Sequence, residues 1–229
     1  MGRRLKAIKD KFIVIGDIHG SLNELNQVLI LCTKCPTHKY IFLGDYIDGG
    51  PESDSVISRI KHLHGIFLMG NHEISLIRMR NNFPGKVVPE HKSKIPKNSE
   101  ANFNWITSNL QFIYQTSQYI FVHAGLDPNN SLENQKELDL LWSRYEGEYM
   151  EFAPRIVIHG HTGVDTIEHI GNRVNINTNA GYGGPVTALI LPEWEIIASN
   201  PTPKNKGSMN IEAMKRELEE LQKKYPRDI

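Results

Sequence analysis

Five short segments of this chain carry residues whose types suit metal-assisted attack on a phosphoryl group. In order they are Gly16-Asp17-Ile18-His19-Gly20, Gly44-Asp45-Tyr46-Ile47-Asp48, Gly70-Asn71-His72-Glu73, His123-Ala124-Gly125 and Gly160-His161-Thr162. Carboxylate, amide and imidazole groups offer the oxygen and nitrogen donors that manganese, iron or zinc accept. A carboxylate shared by two such cations would position a water of lowered pKa, which becomes a nucleophile near neutral pH. An imidazole beside a second carboxylate would then protonate the leaving oxygen, and His72 with Asp48 has the residue types for that pair.

The elements that must position these residues are legible around them. Phe12-Ile13-Val14-Ile15, Tyr40-Ile41-Phe42-Leu43, Ile66-Phe67-Leu68-Met69, Tyr119-Ile120-Phe121-Val122 and Ile156-Val157-Ile158 are short apolar runs rich in β-branched and aromatic residues. Such runs read as strands buried on both faces. Each candidate donor follows one of them, and the adjacent glycines relax the turn so that ligands from separate strands can converge. Any one segment alone reads as turn chemistry or as a helix cap, with Asn71 a candidate cap for a helix starting near His72. Five in succession at strand ends do not.

The ordered motifs resemble the phosphoprotein phosphatase branch of the calcineurin-like metallophosphoesterases, in particular its small bacterial and phage-type members and the related symmetrical diadenosine tetraphosphate hydrolases. The resemblance covers about residues 11 to 191. It implies a two-sheet α/β/β/α sandwich. It also implies two divalent metal ions, manganese first, with Asp17 and His19 on one, Asn71, His123 and His161 on the other, and Asp45 bridging them. His72 and Asp48 match the family's acid and its orienting carboxylate, while Arg144 in Leu141-Trp142-Ser143-Arg144 matches a phosphate-binding arginine. Asn71 is expected to face the substrate phosphate as well as a metal.

Two positions depart from the pattern. Asp48-Gly49-Gly50 stands where the family has Asp-Arg-Gly, and Met69 stands where protein phosphatases of this type place an arginine. Neither glycine nor methionine can offer the planar, bidentate contact of a guanidinium to phosphate. Restoring arginine at residue 49 is therefore expected to raise catalytic efficiency. Three functions are compatible with the residues. The first is a phosphomonoesterase acting on phosphoserine, phosphothreonine or phosphotyrosine in proteins, or on small phosphoesters. The second is a dinucleoside polyphosphate or nucleotide hydrolase, and the third a low-activity protein that binds metal and phosphate.

The 229 residues, 39% hydrophobic and 23% charged, suit one catalytic domain, expected over residues 1–198. Lysine plus arginine equals aspartate plus glutamate at 26 each, which removes any global bias toward a nucleic acid duplex or an anionic membrane. No apolar stretch approaches membrane-spanning length, and the basic start has no adequate apolar core for a signal peptide, so a cytoplasmic location is expected.

Cys32 and Cys35 form a Cys-x-x-Cys without a second pair and are expected as reduced thiols. The first third of the chain reads as strand 11–15, helix 21–32, strand 40–43, helix 53–63, strand 65–69 and helix 72–80, and a late strand pair spans 186–190 and 194–198. Residues 81–101 are rich in proline and lysine and read chiefly as a solvated loop, with a second role for its lysines in gathering anions. Residues 199–229 divide into a linker and an amphipathic helix carrying Ile211, Met214, Leu218, Leu221 and Tyr225, expected to pack on its own domain in a monomer or in a weak homodimer.

Overall fold

The computed structural model describes residues 10–88 and 99–199. Two five-stranded sheets form its centre. The first contains β1 (Phe12–Ile15), β2 (Lys39–Phe42), β3 (Gly65–Phe67), β9 (Thr187–Leu191) and β10 (Glu195–Ala198), in the order β10-β9-β1-β2-β3. The second contains β4 (Ile113–Gln115), β5 (Tyr119–Val122), β6 (Ile156–His159), β7 (Glu168–Ile170) and β8 (Arg173–Asn175), in the order β4-β5-β6-β8-β7. Strands β1, β2 and β3 run parallel, as do β5, β6 and β8.

The uninterrupted apolar runs follow from burial on both faces. In β1, Phe12 and Val14 join the layer between the sheets, where they meet Phe121, Ile158 and Val174 of the second sheet. Ile13 and Ile15 turn the other way, toward α1 (Leu22–Cys32) and α2 (Ser53–Ile60), where Leu25, Val28, Val56 and Ile57 are buried. Phe12 meets Phe121 edge to face across the gap, with ring centroids 5.4 Å apart. On the far side of the second sheet, Ile120, Val122 and Val157 pack beneath Leu140 of α5 (Glu137–Trp142), with Tyr149 and Phe152. The layers are therefore helix, sheet, sheet, helix, as the sequence leads one to expect.

Boundaries differ in detail. Helix α2 ends at Ile60 rather than 63, because the chain must turn to enter β3 at Gly65. β3 ends at Phe67, and Leu68 bridges to Gln111 beyond it. Helix α3 (Asn71–Asn81) begins one residue early, with Gly70 rather than Asn71 in the capping position. Helix α4 (Glu100–Asn109) has no counterpart in the sequence reading, since its asparagines, serine and threonine are weak helix formers. Its buried Asn102 takes the Lys61 ammonium at 2.8 Å and donates to Asp54 and Ser58, which ties α4 to α2. The expected linker and amphipathic helix fall beyond residue 199, outside the described residues, as do Lys92, Lys94 and Lys97. No helix among the described residues is long and apolar enough to cross a membrane.

Candidate active site

The candidate donors gather at the carboxyl ends of the parallel strands, where open α/β sheets place their ligand sites. Asp17 and His19 follow β1, Asp45 and Asp48 follow β2, and Asn71 and His72 open α3 just past β3. From the second sheet, His123 follows β5 and His161 follows β6. His19, Asp45, Asp48 and His161 all have positive φ, at 48°, 50°, 67° and 65°. Side chains seldom tolerate that backbone, and its concentration here is typical of functional sites held by their surroundings.

Asp45 is the hub. His19, Asp45 and His72 form one set, and Asp45, His123 and His161 a second, with the donor atoms in each within 4.8 Å of one another. Asp45 Oδ2 is 3.5 Å from His19 Nε2, and Oδ1 is 3.5 Å from His123 Nε2. Asp17 Oδ2 lies 3.9 Å from His19 Nε2. The Nδ1 atoms of His19 and His123 donate to the carbonyls of Ile47 and Leu43 at 3.0 and 2.9 Å, which leaves each Nε2 as a lone pair aimed inward.

Asn71 supplies the test of whether a cation suits this cluster. Its Oδ1 lies 2.9 Å from His123 Nε2, 3.1 Å from His161 Nδ1, and 3.2 and 3.0 Å from the two Asp45 oxygens. Lone pairs thus face lone pairs. Rotating the amide would present N–H groups to the same four atoms, whereas a divalent cation would accept donation from all of them with the oxygen inward. The donor set fits hard or borderline divalent ions.

The electrostatics agree. Burial, and then repulsion from Asp45, push Asp17 well above the usual carboxylate range. Burial opposes charge on Asp45 too, but His123, His72, His19 and His161 outweigh it and hold Asp45 below that range. Burial pulls His19 and His123 down, and burial with the neighbouring His123 brings His161 down to about 3. These imidazoles are neutral near pH 7, the form in which a metal could accept their lone pairs.

His72 is the exception. Burial disfavours its charge, yet the Asp45 carboxylate and a 2.8 Å hydrogen bond from Nδ1 to Asp48 Oδ2 push it up to about 9. Its Nε2 lies 3.9 Å from Asp45 Oδ2, beside the donor cluster, which is where a proton donor to a leaving oxygen belongs.

Two supporting residues stand behind the donors. Buried Glu73 accepts backbone N–H groups of Asp45 and Tyr46 at 2.9 Å, Ile47 at 3.2 Å and Gly70 at 3.1 Å, so it binds the loop after β2 to the start of α3. Its sequence position suggests helix-dipole complementarity equally well, and only the folded loop separates the two roles. Asn177, which sequence reasoning missed, donates to Asp17 Oδ2 at 2.7 Å. It follows β8, whose Arg173-Val174-Asn175 lacks the apolar run that marks the other strand ends.

The cluster opens into a pocket of about 370 Å³ whose wall includes Arg144, Trp142, Lys86 and Tyr182. Arg144 therefore lies on the wall of the same pocket as the donor cluster. Gly49 leaves little space for the arginine expected to help there, and its backbone disfavours any side chain. It has φ +66°, and a Cβ on it would stand 3.0 Å from His19 Cβ and 3.1 Å from the Gly181 Cα. The turn Ala180–Tyr182 occupies the space, so an arginine at residue 49 would strain the backbone and press on His19. Cys32 and Cys35 form no disulfide; Cys32 is buried in the core, and burial pushes its thiol up to about 12.

A family model described as calcineurin-like phosphoesterase matches residues 10–190, which span every donor described above. The chain belongs to that family. Among curated proteins, it is 27% identical to the asymmetrical bis(5'-nucleosyl)-tetraphosphatase PrpE of Anoxybacillus flavithermus, over 81% of this chain and 92% of the relative. A counterpart of the same name from Bacillus thuringiensis is 26% identical over 82% and 93%. Among solved structures, a putative diadenosine tetraphosphatase superposes with a TM-score of 0.72 at 21% identity, covering 87% of this chain and 97% of that one. A protein serine/threonine phosphatase from Saccharomyces cerevisiae gives 0.54 at 20% identity, over 86% and 82%. Both structural likenesses are to the fold.

Proposed function

We propose that this phosphoesterase is a divalent-metal-dependent hydrolase of dinucleoside polyphosphates, with two metal ions shared through Asp45. The observation that carries the substrate class is its similarity, across nearly the whole length of the relatives, to bis(5'-nucleosyl)-tetraphosphatases. Asp17 and His19 would hold one ion and Asn71, His123 and His161 the other, with manganese, iron or zinc all compatible with that donor set. When bound, such ions supply a water of lowered pKa as the nucleophile and offset charge on the phosphoryl group.

The chain's own residues do the rest. Arg144 binds and orients phosphoryl oxygens from the pocket wall. Asn177 and the His161 N–H hold Asp17 in place, and Glu73 fixes the loop that carries Asp45. His72, charged at neutral pH and aligned by Asp48, delivers a proton from Nε2 to the departing oxygen. The formed His72–Asp48 pair favours turnover over a metal- and phosphate-binding role.

A phosphomonoesterase acting on phosphoproteins is the second reading, supported by the resemblance of the motifs to protein phosphatases. Met69 weakens it, because it stands where protein phosphatases of this type place one of the arginines that clamp a lone phosphate. Manganese-loaded protein offered diadenosine tetraphosphate, phosphopeptides and an aryl phosphate separates the readings. A kcat/KM for the dinucleotide at least tenfold above the other two is expected, and the asymmetry in the relatives' names anticipates triphosphate plus monophosphate products. Preference for phosphopeptides would replace the proposal with the second reading.

A further inference from the structure

The segment after α3 is pinned beside the pocket by side chains of α3 itself. Arg78 Nη1 donates to the Lys86 carbonyl at 2.9 Å, while its Nη2 contacts both Glu137 oxygens at 2.7 and 2.8 Å. Gly85, at φ +132°, lies so close to that guanidinium that a Cβ would fall 2.4 Å from Cζ. Three residues later the Val88 N–H donates to Ser75 Oγ at 3.0 Å, and Ser75 in turn donates to the Asn71 carbonyl at 2.5 Å. A run of hydrogen bonds therefore connects the donor cluster to the strap that carries Lys86.

Lys86 itself sits with Nζ 4.3 Å from the Trp142 ring centroid, and both residues line the pocket alongside Arg144. A ring face attracts an ammonium and steadies a long, mobile stem without neutralising its charge. Lys86 and Arg144 are the lysine and arginine side chains on the pocket wall among the described residues. A single phosphate at the reacting centre has Arg144 available. A second cation held on a separate strap has a use when the substrate carries further phosphates, and an ammonium suits that use because it imposes no planar geometry on the oxygens it meets.

We infer that Lys86 binds a phosphate of the substrate's polyphosphate chain other than the one undergoing attack, with Arg78 as the positioning residue that holds its strap. The inference deepens the dinucleoside polyphosphate reading and rests on it. Lys86 thereby selects chain length: it strengthens binding of polyphosphates and adds little for orthophosphate.

The test is equilibrium binding of inorganic tripolyphosphate and orthophosphate to manganese-loaded protein at fixed free manganese, for wild type, Lys86→Met and Lys86→Arg. Methionine keeps the stem against Trp142 and removes the charge. The ratio of the tripolyphosphate Kd to the orthophosphate Kd should rise about tenfold in Lys86→Met and return to within about threefold of wild type in Lys86→Arg. That gap should narrow as salt is raised, since the contact is between exposed charges. A ratio that moves less than about twofold in Lys86→Met, or that arginine fails to restore, overturns the inference. Because the ligands are not nucleotides, the outcome separates from the substrate reading. Wild type inactive on diadenosine tetraphosphate with a Lys86-dependent ratio would sink only that reading, and the converse would sink only the role of Lys86.

Discussion

Asp48 Oδ2 stands 2.8 Å from His72 Nδ1, and the two residues come from different strand ends, one after β2 and the other at the start of α3. The contact fixes which ring nitrogen faces the carboxylate and keeps the other beside the donor cluster. His72→Asn should therefore retain bound metal yet lose roughly 10² to 10⁴ in turnover on alkyl phosphoesters, whose leaving oxygen needs a proton. On a dinucleoside polyphosphate, whose leaving group is a phosphate of pKa near about 6, the loss should be smaller. Steady-state rates across leaving groups of graded pKa check this, and equal losses throughout would remove His72 from the acid role.

Asp45 lies 3.5 Å from His19 on one side and 3.5 Å from His123 on the other. Asp45→Asn should release most of the bound metal and nearly all activity, while chelated wild type should recover on adding manganese. Metal content by elemental analysis, read beside rates, decides it. Full activity in chelated, metal-free protein would end the two-ion proposal.

Gly49→Arg should harm the protein rather than improve it. The left-handed backbone and the close approach of His19 and Gly181 predict a loss of about 1–3 kcal/mol in stability, with lower kcat/KM as His19 is displaced. Thermal unfolding together with kinetics would show both, and a stable, faster variant would mean that the turn at Ala180–Tyr182 yields easily.

Metal-free protein should show a pH optimum of stability. Burial, aided by Arg173, brings His159 down to about 3, and His161 is brought equally low, against about 6.5 for an unfolded histidine. Between those values the unfolded chain binds more protons, so stability falls as pH decreases from about 6.5. His72 works in the opposite sense. Its pKa of about 9 lends stability that is complete below about 6.5 and is lost as pH rises through 9. Urea unfolding across this range should peak near about pH 6.5, with His159→Gln flattening the acid limb; a profile still rising toward pH 9 would contradict the His72 assignment.

The donors were legible because each follows a run that is apolar at every position, a pattern that burial on both faces enforces and that few other settings produce. Asp17, His19, Asp45, Asn71, His123 and His161 all converge accordingly. Asn177 was not legible, since β8 has three residues and includes the buried Arg173, whose charge is met by Glu168 at 2.7 Å only once the sheet has formed. Nor was the meaning of Gly49. As one letter in a motif it reads as a missing arginine, whereas in space it is the gap into which a turn from more than a hundred residues later fits. Helix α4 escaped for a third reason: its packing against α2, through Asn102 and Ile106, outweighs a poor local preference for helix.

The donor cluster draws on both sheets, Asp17, His19, Asp45 and Asn71 from one and His123 and His161 from the other, across an interface otherwise made of hydrocarbon. Seen as a problem in polymer statistics, a cation held there is a reversible cross-link. Two ions sharing Asp45 would together join points as remote as residues 17 and 161, which are 144 positions apart along the chain. Closing a loop of that length removes far more freedom from an unfolded chain than from a folded one. Metal supply would then govern how long the protein survives as well as how fast it works.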